Sequence, residues 1–413
     1  MALISVFLAS AFNLTRSALS DADGPSASPP KMARADVTDC VGAASSGVVM
    51  PISVEGGFVI VDADINGHGP LPMLFDTGAE DGVTLETAAA LGLQSKGPYW
   101  VQDSGGKIFP ATHAEVQSLR LATVELSGQQ IGVFPLPQHL TDRGVRPSLA
   151  GLIGYELLSR FAVRLDYENK TLAIQDPKRI SCETGGVKLP LLFSDKVPAV
   201  RAAADEIPGV FLVDTGSVGA ITLRHSFVEE HRLEARHPSP LRIKTIGAAG
   251  SFETILTRLD SFDVAGSRIE RPAVRLPLAA DQGLPFADVD GSIGYEILRQ
   301  FVITFDYPAH DIRFERSKAF GARTGGGSAG FQAVKETGEG FKVTTVLPNT
   351  AASDAGVQLG DLIVAIDGSS TAMISLSDLA VLLRRPPGSL VNFDIVREGN
   401  KRSLQLKLKD VFP

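Results

Sequence analysis

Asp-Thr-Gly occurs twice in this chain, in LFDTGAE at 74–80 and in LVDTGSV at 212–218, each time at the end of an apolar run. At ordinary residue usage a chain of 413 residues should contain roughly one-tenth of such a triplet, so chance does not explain a pair. Two carboxylates brought to about 3 Å cannot both ionise, so one keeps a proton while the other is charged. The charged one can take a proton from a water held between them. The neutral one can donate a hydrogen bond to a carbonyl under attack. Asp76 and Asp214 are therefore the candidate acid–base pair, and this chemistry needs neither a metal nor a cofactor. Gly78 and Gly216 permit the tight turn that aims each carboxylate at its twin. The hydroxyls of Thr77 and Thr215 can bond across to the backbone of the opposite loop.

The elements that must position these loops are themselves repeated. GLIGYELLSRFAVRLDYENKTLAI (151–174) and GSIGYEILRQFVITFDYPAHDIRF (291–314) match in register at an offset of 140, close to the offset of 138 between the two aspartates. One unit of about 130 residues is duplicated, and the triplet is part of it. Each unit reads as mostly strand. GGFVIVDADING (56–67) alternates and ends in an Asn-Gly hairpin signal. LETAAALGL (85–93) reads as a short helix ended by Gly92. YELLSRF and YEILRQF read as short helices leading into a strand, a turn and a return strand. Gly154 and Gly294 follow apolar pairs and would let a strand pass close behind each Asp loop.

Composition supports several globular cores: 44% of residues are hydrophobic and 21% charged. Aromatics are scarce, and 41 Gly and 25 Pro favour strands and turns over helical bundles. A net charge of −8 without a Lys/Arg block gives nucleic-acid binding no support. No segment reaches the ~18 apolar residues of a membrane span. Residues 1–24 are expected to be a signal peptide: Ala2–Phe12 is an apolar run, and Ala18 and Ser20 are small residues before a cleavage site. The basic start of such a peptide is missing, yet export to a periplasmic or secreted location is the expectation. Residues 25–49 read as a loose polar tail. Cys40 and Cys182 have no metal-ligand spacing, and in an oxidising compartment they could pair. His225, His231 and His237 recur every six residues, which no single helix face accommodates, so they are read as scattered surface histidines.

Asp-Thr-Gly after an apolar strand, followed some eighty residues later by an apolar pair and Gly, resembles the pattern of aspartic proteases. FDTGAEDGVTLE is similar to the retropepsin loop, and 291–314 to the C-terminal part of a pepsin lobe. The resemblance implies a mainly β, bilobal, pepsin-like fold of two barrel-like lobes, lobe 1 at 50–180 and lobe 2 at 186–318. It implies Asp76 and Asp214 as the catalytic dyad. It implies flaps closing over bound peptide, placed at Gly105 and Gly106 in DSGGKIF and at Gly247 and Gly250 in TIGAAGSF. A flap in each unit resembles a retropepsin dimer fused into one chain. Glu80 and Asp81 resemble the acidic positions with which retropepsins grip substrate backbone; Val218 and Gly219 make that grip one-sided. Ala79 replaces the hydroxyl residue found as Ser217 in the second loop, so asymmetric tuning of the two acids is expected.

ARTGGGSAG reads as a Gly/Ser linker, placed at 319–329. Beyond it, LPNTAASDAG followed by LGDLIVAIDG resembles the PDZ domains attached to bacterial proteases, and 330–413 is assigned to such an α+β module. SLSDLAVLLRR (375–385) reads as its groove helix. The resemblance implies a peptide or C-terminal ligand added as a strand, with its carboxylate received by Ser328, Ala329, Gly330 and Phe331. Two functions follow. One is an aspartic endopeptidase acting on polypeptides, with a PDZ domain that recruits or positions substrate. The other is an inactive protease-fold scaffold acting as a PDZ adaptor.

Overall fold

Local rules build the first hairpin. The alternating strand Phe58–Ile65 turns at Asn66 and Gly67, whose φ values of 52° and 79° suit a two-residue turn, and returns as His68–Phe75. The computed structural model describes residues 47–102, 108–141, 143, 146–177, 185–239, 241–247, 250–280, 284–325, 329–336, 338–383 and 385–410. The expected signal peptide, Cys40, Cys182, Gly105, Gly106 and Ser328 lie outside these residues.

The duplication is visible as matched topology. His68–Phe75 and Ile207–Val213 each run into an Asp-Thr-Gly loop. Each pairs in parallel with a three-residue strand, Gly151–Ile153 or Gly291–Ile293, so that Phe75 faces Ile153 and Val213 faces Ile293. A further short strand, Gly82–Val83 or Ile221–Leu223, lies antiparallel on the other side. After Gly154 and Gly294 come the helices Tyr155–Leu158 and Tyr295–Leu298, then the strands Ala162–Asp166 and Phe301–Asp306. The expected helix after the first loop is Leu85–Ala90, capped by Thr84, whose side chain accepts from the Thr87 N–H.

The lobes are joined by a sheet that periodicity does not announce. Its order is Val48–Pro51, Thr171–Gln175, Ala162–Asp166, Phe301–Asp306, Asp311–Arg316 and Val187–Pro190. Three strands come from each unit, and the seam is the antiparallel pairing of Ala162–Asp166 with Phe301–Asp306. This corrects the tail assignment: Val48 and Val49 belong to a strand paired with Ile174 and Ala173, because the open edge of Thr171–Gln175 supplies their hydrogen-bond partners. One buried apolar cluster runs through both lobes and this sheet.

The C-terminal module is a sheet of order Phe331–Glu336, Gly340–Val346, Leu362–Ile366, Leu390–Arg397 and Asn400–Lys407, with the helix Leu376–Leu383. Its turn signals hold: Thr350 caps Ala351–Asp354 reciprocally with Ser353, and Asp367–Gly368 ends Leu362–Ile366 with φ of 48° and 80°.

The linker assignment needs correction. Gly321 N–H donates to Gln300 Oε1 at 2.9 Å, the Ala273 N–H donates to Thr324 Oγ1 at 2.7 Å, Arg258 donates to the Thr324 carbonyl, and Gly325 N–H bonds Glu296. Glycine-rich composition permits flexibility, but here lobe 2 supplies partners for residues 321–325. The module is also docked rather than merely tethered. Arg146 donates to both carboxylate oxygens of Asp378, in the first turn of Leu376–Leu383, at 2.8 Å, and Asp410 pairs with Arg258 and Arg323. A second apolar cluster contains Leu74, Ala79, Leu140 and Leu152 of lobe 1 together with Phe331 and Leu379 of the module. Replacing Arg146 by Ala is expected to remove about 1 kcal/mol or less from this docking, because both partners are partly exposed. Limited proteolysis should then separate module and body several-fold faster; an unchanged rate would deny the contact a docking role.

Candidate active site

The two Asp-Thr-Gly loops meet at the seam of the lobes. Thr77 Oγ1 donates to the Val213 carbonyl at 2.6 Å and accepts the Thr215 N–H at 3.0 Å. Thr215 Oγ1 donates to the Phe75 carbonyl at 2.9 Å and accepts the Thr77 N–H at 3.0 Å. These four bonds are reciprocal and buried, so each loop fixes the other. Behind them, the Asp76 and Asp214 N–H groups donate to the Ile153 and Ile293 carbonyls.

This places the Asp76 and Asp214 carboxyl groups side by side at the seam, at 0% and 2% residue exposure, with the Gly216 backbone against the Asp76 carboxylate. Gly78 N–H donates to Asp76 Oδ1 at 2.8 Å, and Gly216 N–H to Asp214 Oδ1 at 2.9 Å. Asp76 Oδ2 is buried without a hydrogen-bond partner among the described residues. Burial, followed by the charge of Asp214, pushes Asp76 well above the usual carboxylate range. Burial also pushes Asp214 up to about 7, opposed by the N–H groups of Gly216 and Ser217. Such a pair holds one proton between them over an interval of pH.

The glycines act through close approach. A Cβ on Gly216 would lie 2.6 Å from Asp76 Cγ, although its φ is not left-handed. A Cβ on Gly154 would lie 2.6 Å from the Asp76 carbonyl, and one on Gly294 2.7 Å from the Ser217 and Gly219 carbonyls. We expect Gly216→Ala to lower kcat by about 100-fold or more, since a methyl group there must displace the carboxylate. Steady-state kinetics beside a melting curve checks this, and a fully active variant would show that the loops can give way.

The acids beyond the first triplet are engaged within the protein. The Gly154 N–H donates to Asp81 Oδ1 at 2.6 Å, and the Asp81 N–H donates to Glu156 Oε2 at 2.7 Å. Glu80 forms an ion pair with Lys196, which reaches over from the turn between Leu192–Ser194 and Val197–Ala204 of lobe 2. Burial pushes Glu80 up to about 7, with the Lys196 hydrogen bond opposing. The expected substrate grip by these acids is thus replaced by an interlobe clasp and a buried loop brace. Lobe 2 has Gly219 where lobe 1 has Asp81, and the Arg275 guanidinium fills the space, 2.8 Å from where a Cβ would stand. Sequence reasoning missed Lys196, Glu156 and Arg275; only the Glu at 156 and 296 carries a signal, by standing at one register of the repeat.

The other candidate residues are placed as follows. Gly247 and Gly250 face each other at the end of the hairpin formed by Arg242–Gly247 and Gly250–Arg258. Ala329, Gly330 and Phe331 lead into the edge strand of the C-terminal sheet; the Ala329 carbonyl accepts the Ala352 N–H, and the Gly330 carbonyl the Leu347 N–H. The histidines are not a scattered surface set: His237 bonds the buried Asp205, and His225 Nδ1 lies 3.0 Å from the Pro277 carbonyl. Asp205, His237 and Asp260 approach metal-ligand spacing. However, Asp205 Oδ1 already accepts the Asp260 and Ser261 N–H groups, and Arg236 stands 3.6 Å from Oδ2.

An aspartyl protease family model matches residues 61–157, and a PDZ domain model matches 342–397. No curated protein matches. Among solved structures, the aspartic proteinase from Irpex lacteus aligns with 68% of this chain and 100% of its own, at 12% identity and a TM-score of 0.44. Basic 7S globulin from soybean aligns with 68% of this chain and 98% of its own, at 13% identity and 0.38. An aminopeptidase N family protein from Idiomarina loihiensis aligns with 23% of this chain and 15% of its own, at 24% identity and 0.19. The chain is a mostly β protein whose first lobe matches an aspartyl protease family model and whose C-terminal module matches a PDZ domain model.

Proposed function

We propose that this chain is an aspartic endopeptidase. The observation that carries the reading is the meeting of the Asp76 and Asp214 loops across the lobe seam, locked by the reciprocal Thr77 and Thr215 bonds, with each carboxyl braced by an N–H two residues on. A monoanionic pair can take a proton from a water lying between the carboxyls while the protonated partner polarises the peptide carbonyl. The water oxygen adds to the carbonyl carbon, and the dyad passes a proton to the departing amine as the C–N bond breaks. Gly216 lets the second loop approach the Asp76 carboxylate, and the Thr77–Thr215 bonds hold both loops in that geometry. The hairpin ending at Gly247 and Gly250 is assigned the flap role.

The PDZ domain is assigned recruitment or positioning of polypeptide substrates. Its edge strand Phe331–Glu336 and the helix Leu376–Leu383 are the elements between which an added peptide strand would lie. A peptide-library digest from pH 3 to 8, run beside an Asp76→Asn plus Asp214→Asn variant, tests the reading. Cleavage by the wild type and none by the variant is expected. Equal cleavage, or none by either while PDZ ligands still bind, would favour the adaptor.

A further inference from the structure

Four tyrosines, at two registers of the repeat, lie beside the Asp loops: two bond the loops through their backbone, and two pack against the rings of those. Tyr155 and Tyr295 begin the helices behind the Asp loops, and their N–H groups donate to the Ala79 and Ser217 carbonyls. Tyr167 and Tyr307 directly follow the two seam strands of the bridging sheet. The rings cross between lobes: Tyr167 meets Tyr295 edge-on at 5.4 Å, and Tyr307 meets Tyr155 at 6.2 Å. Tyr167 and Tyr307 are more than nine-tenths buried, yet neither hydroxyl has a hydrogen-bond partner among the described residues. A buried hydroxyl left unpaired is unfavourable, and native proteins rarely keep one, let alone two at equivalent positions.

We propose that Tyr167 and Tyr307 are positioning residues for the dyad: their hydroxyls donate, through a bridging solvent molecule each, towards the Asp76–Asp214 pair and help it hold its negative charge. The electrostatics agree. After burial, the raised Tyr307 phenol feels the charges of Asp76 and Asp214, and the Tyr167 phenol that of Asp214. Burial in these apolar surroundings suits a donor that never ionises itself. A water bound to such a hydroxyl bridges polar groups nearly as well as a direct bond. The other ionisable groups nearest these rings are Tyr155 and Tyr295 themselves, Arg299 over the Tyr295 ring, Lys196 over the Tyr155 ring with its partner Glu80, and His310 across Phe193 from Tyr307. None of these occupies the position of the two phenols in the bridging sheet.

The inference rests on the endopeptidase reading for its first readout only. The test is Tyr167→Phe, Tyr307→Phe and the double variant, each of which keeps the ring. Donors to an anion lower its pKa, so their loss should move both limbs of the kcat/KM pH profile to higher pH, by about half a unit or more. A profile that superimposes on wild type, with an unchanged or higher melting temperature, would overturn the proposal, as would a move to lower pH. If one variant does not fold, the other decides; if neither does, wild-type chain carrying 3-fluorotyrosine, a stronger donor, should show both limbs moved to lower pH. If the wild type cleaves nothing, the endopeptidase reading fails, and the same shift is sought in melting temperature against pH, with the double Asn variant as baseline. A shift there keeps the proposal; its absence ends it.

Discussion

Asparagine at Asp214 is expected to abolish cleavage and, at pH 7, to make the protein harder to unfold. The two effects share one cause. Asp214 is pushed up to about 7 chiefly by burial, against about 3.9 for an unfolded chain. Between those values the native state binds more protons than the unfolded state, so the stability contributed by the carboxyl is complete below about pH 4 and is lost as pH rises towards 7. Asn keeps an oxygen for the Gly216 N–H and carries no charge, so the variant should lose this slope. The gain at pH 7 is on the order of a few kcal/mol. Without a proton to exchange, kcat should fall at least ~10³–10⁴-fold. Urea unfolding at pH 4 and pH 7, beside cleavage assays, reads both effects. A variant no more stable at pH 7 than wild type would mean that the native dyad is not strained by its charge.

Valine at Thr215 should produce the opposite pairing of effects, with lower stability and lower activity together. The hydroxyl accepts the Thr77 N–H and donates to the Phe75 carbonyl, both within the buried seam. Val nearly matches Thr in shape but leaves those two backbone groups without partners, at ~1–3 kcal/mol each. Destabilisation of about 2–6 kcal/mol is therefore expected from this single residue. Thr77→Val should behave alike, because Thr77 Oγ1 holds the Val213 carbonyl and the Thr215 N–H. The double variant should lose less than the sum, since both residues serve one network. The carboxyls would lose their mutual placement, and kcat should fall by about 10–100-fold. Denaturant midpoints at one pH, with kcat measured where all variants remain folded, check the pair. A loss below about 0.5 kcal/mol would mean that packing alone holds the loops together.

The pairing of the two Asp loops was legible because duplication writes it twice. Each triplet carries its Thr, and each has its glycine about eighty residues on. The Asn66–Gly67 turn, the helix ended by Gly92 and the turns of the PDZ domain were legible for another reason: a few neighbouring residues decide backbone conformation there. The reading was weaker where composition stood in for contact. Residues 319–329 read as a linker, yet 321–325 are held by Gln300, Ala273, Arg258 and Glu296. Val48 and Val49 read as tail, yet they complete a sheet.

Chain order alone dictates the doubled triplet, the spacing of its partner glycines and the local turns, since each depends on residues close in sequence or copied from one unit to the other. The rest arises when distant segments meet. Lys196 clasps Glu80, Arg275 fills the space that Asp81 has in lobe 1, and Arg146 docks the PDZ helix through Asp378. Asp76 and Asp214 are ordinary acids by composition. Their raised pKa values come from burial and from each other, and burial is a property of the folded seam rather than of any short stretch of chain.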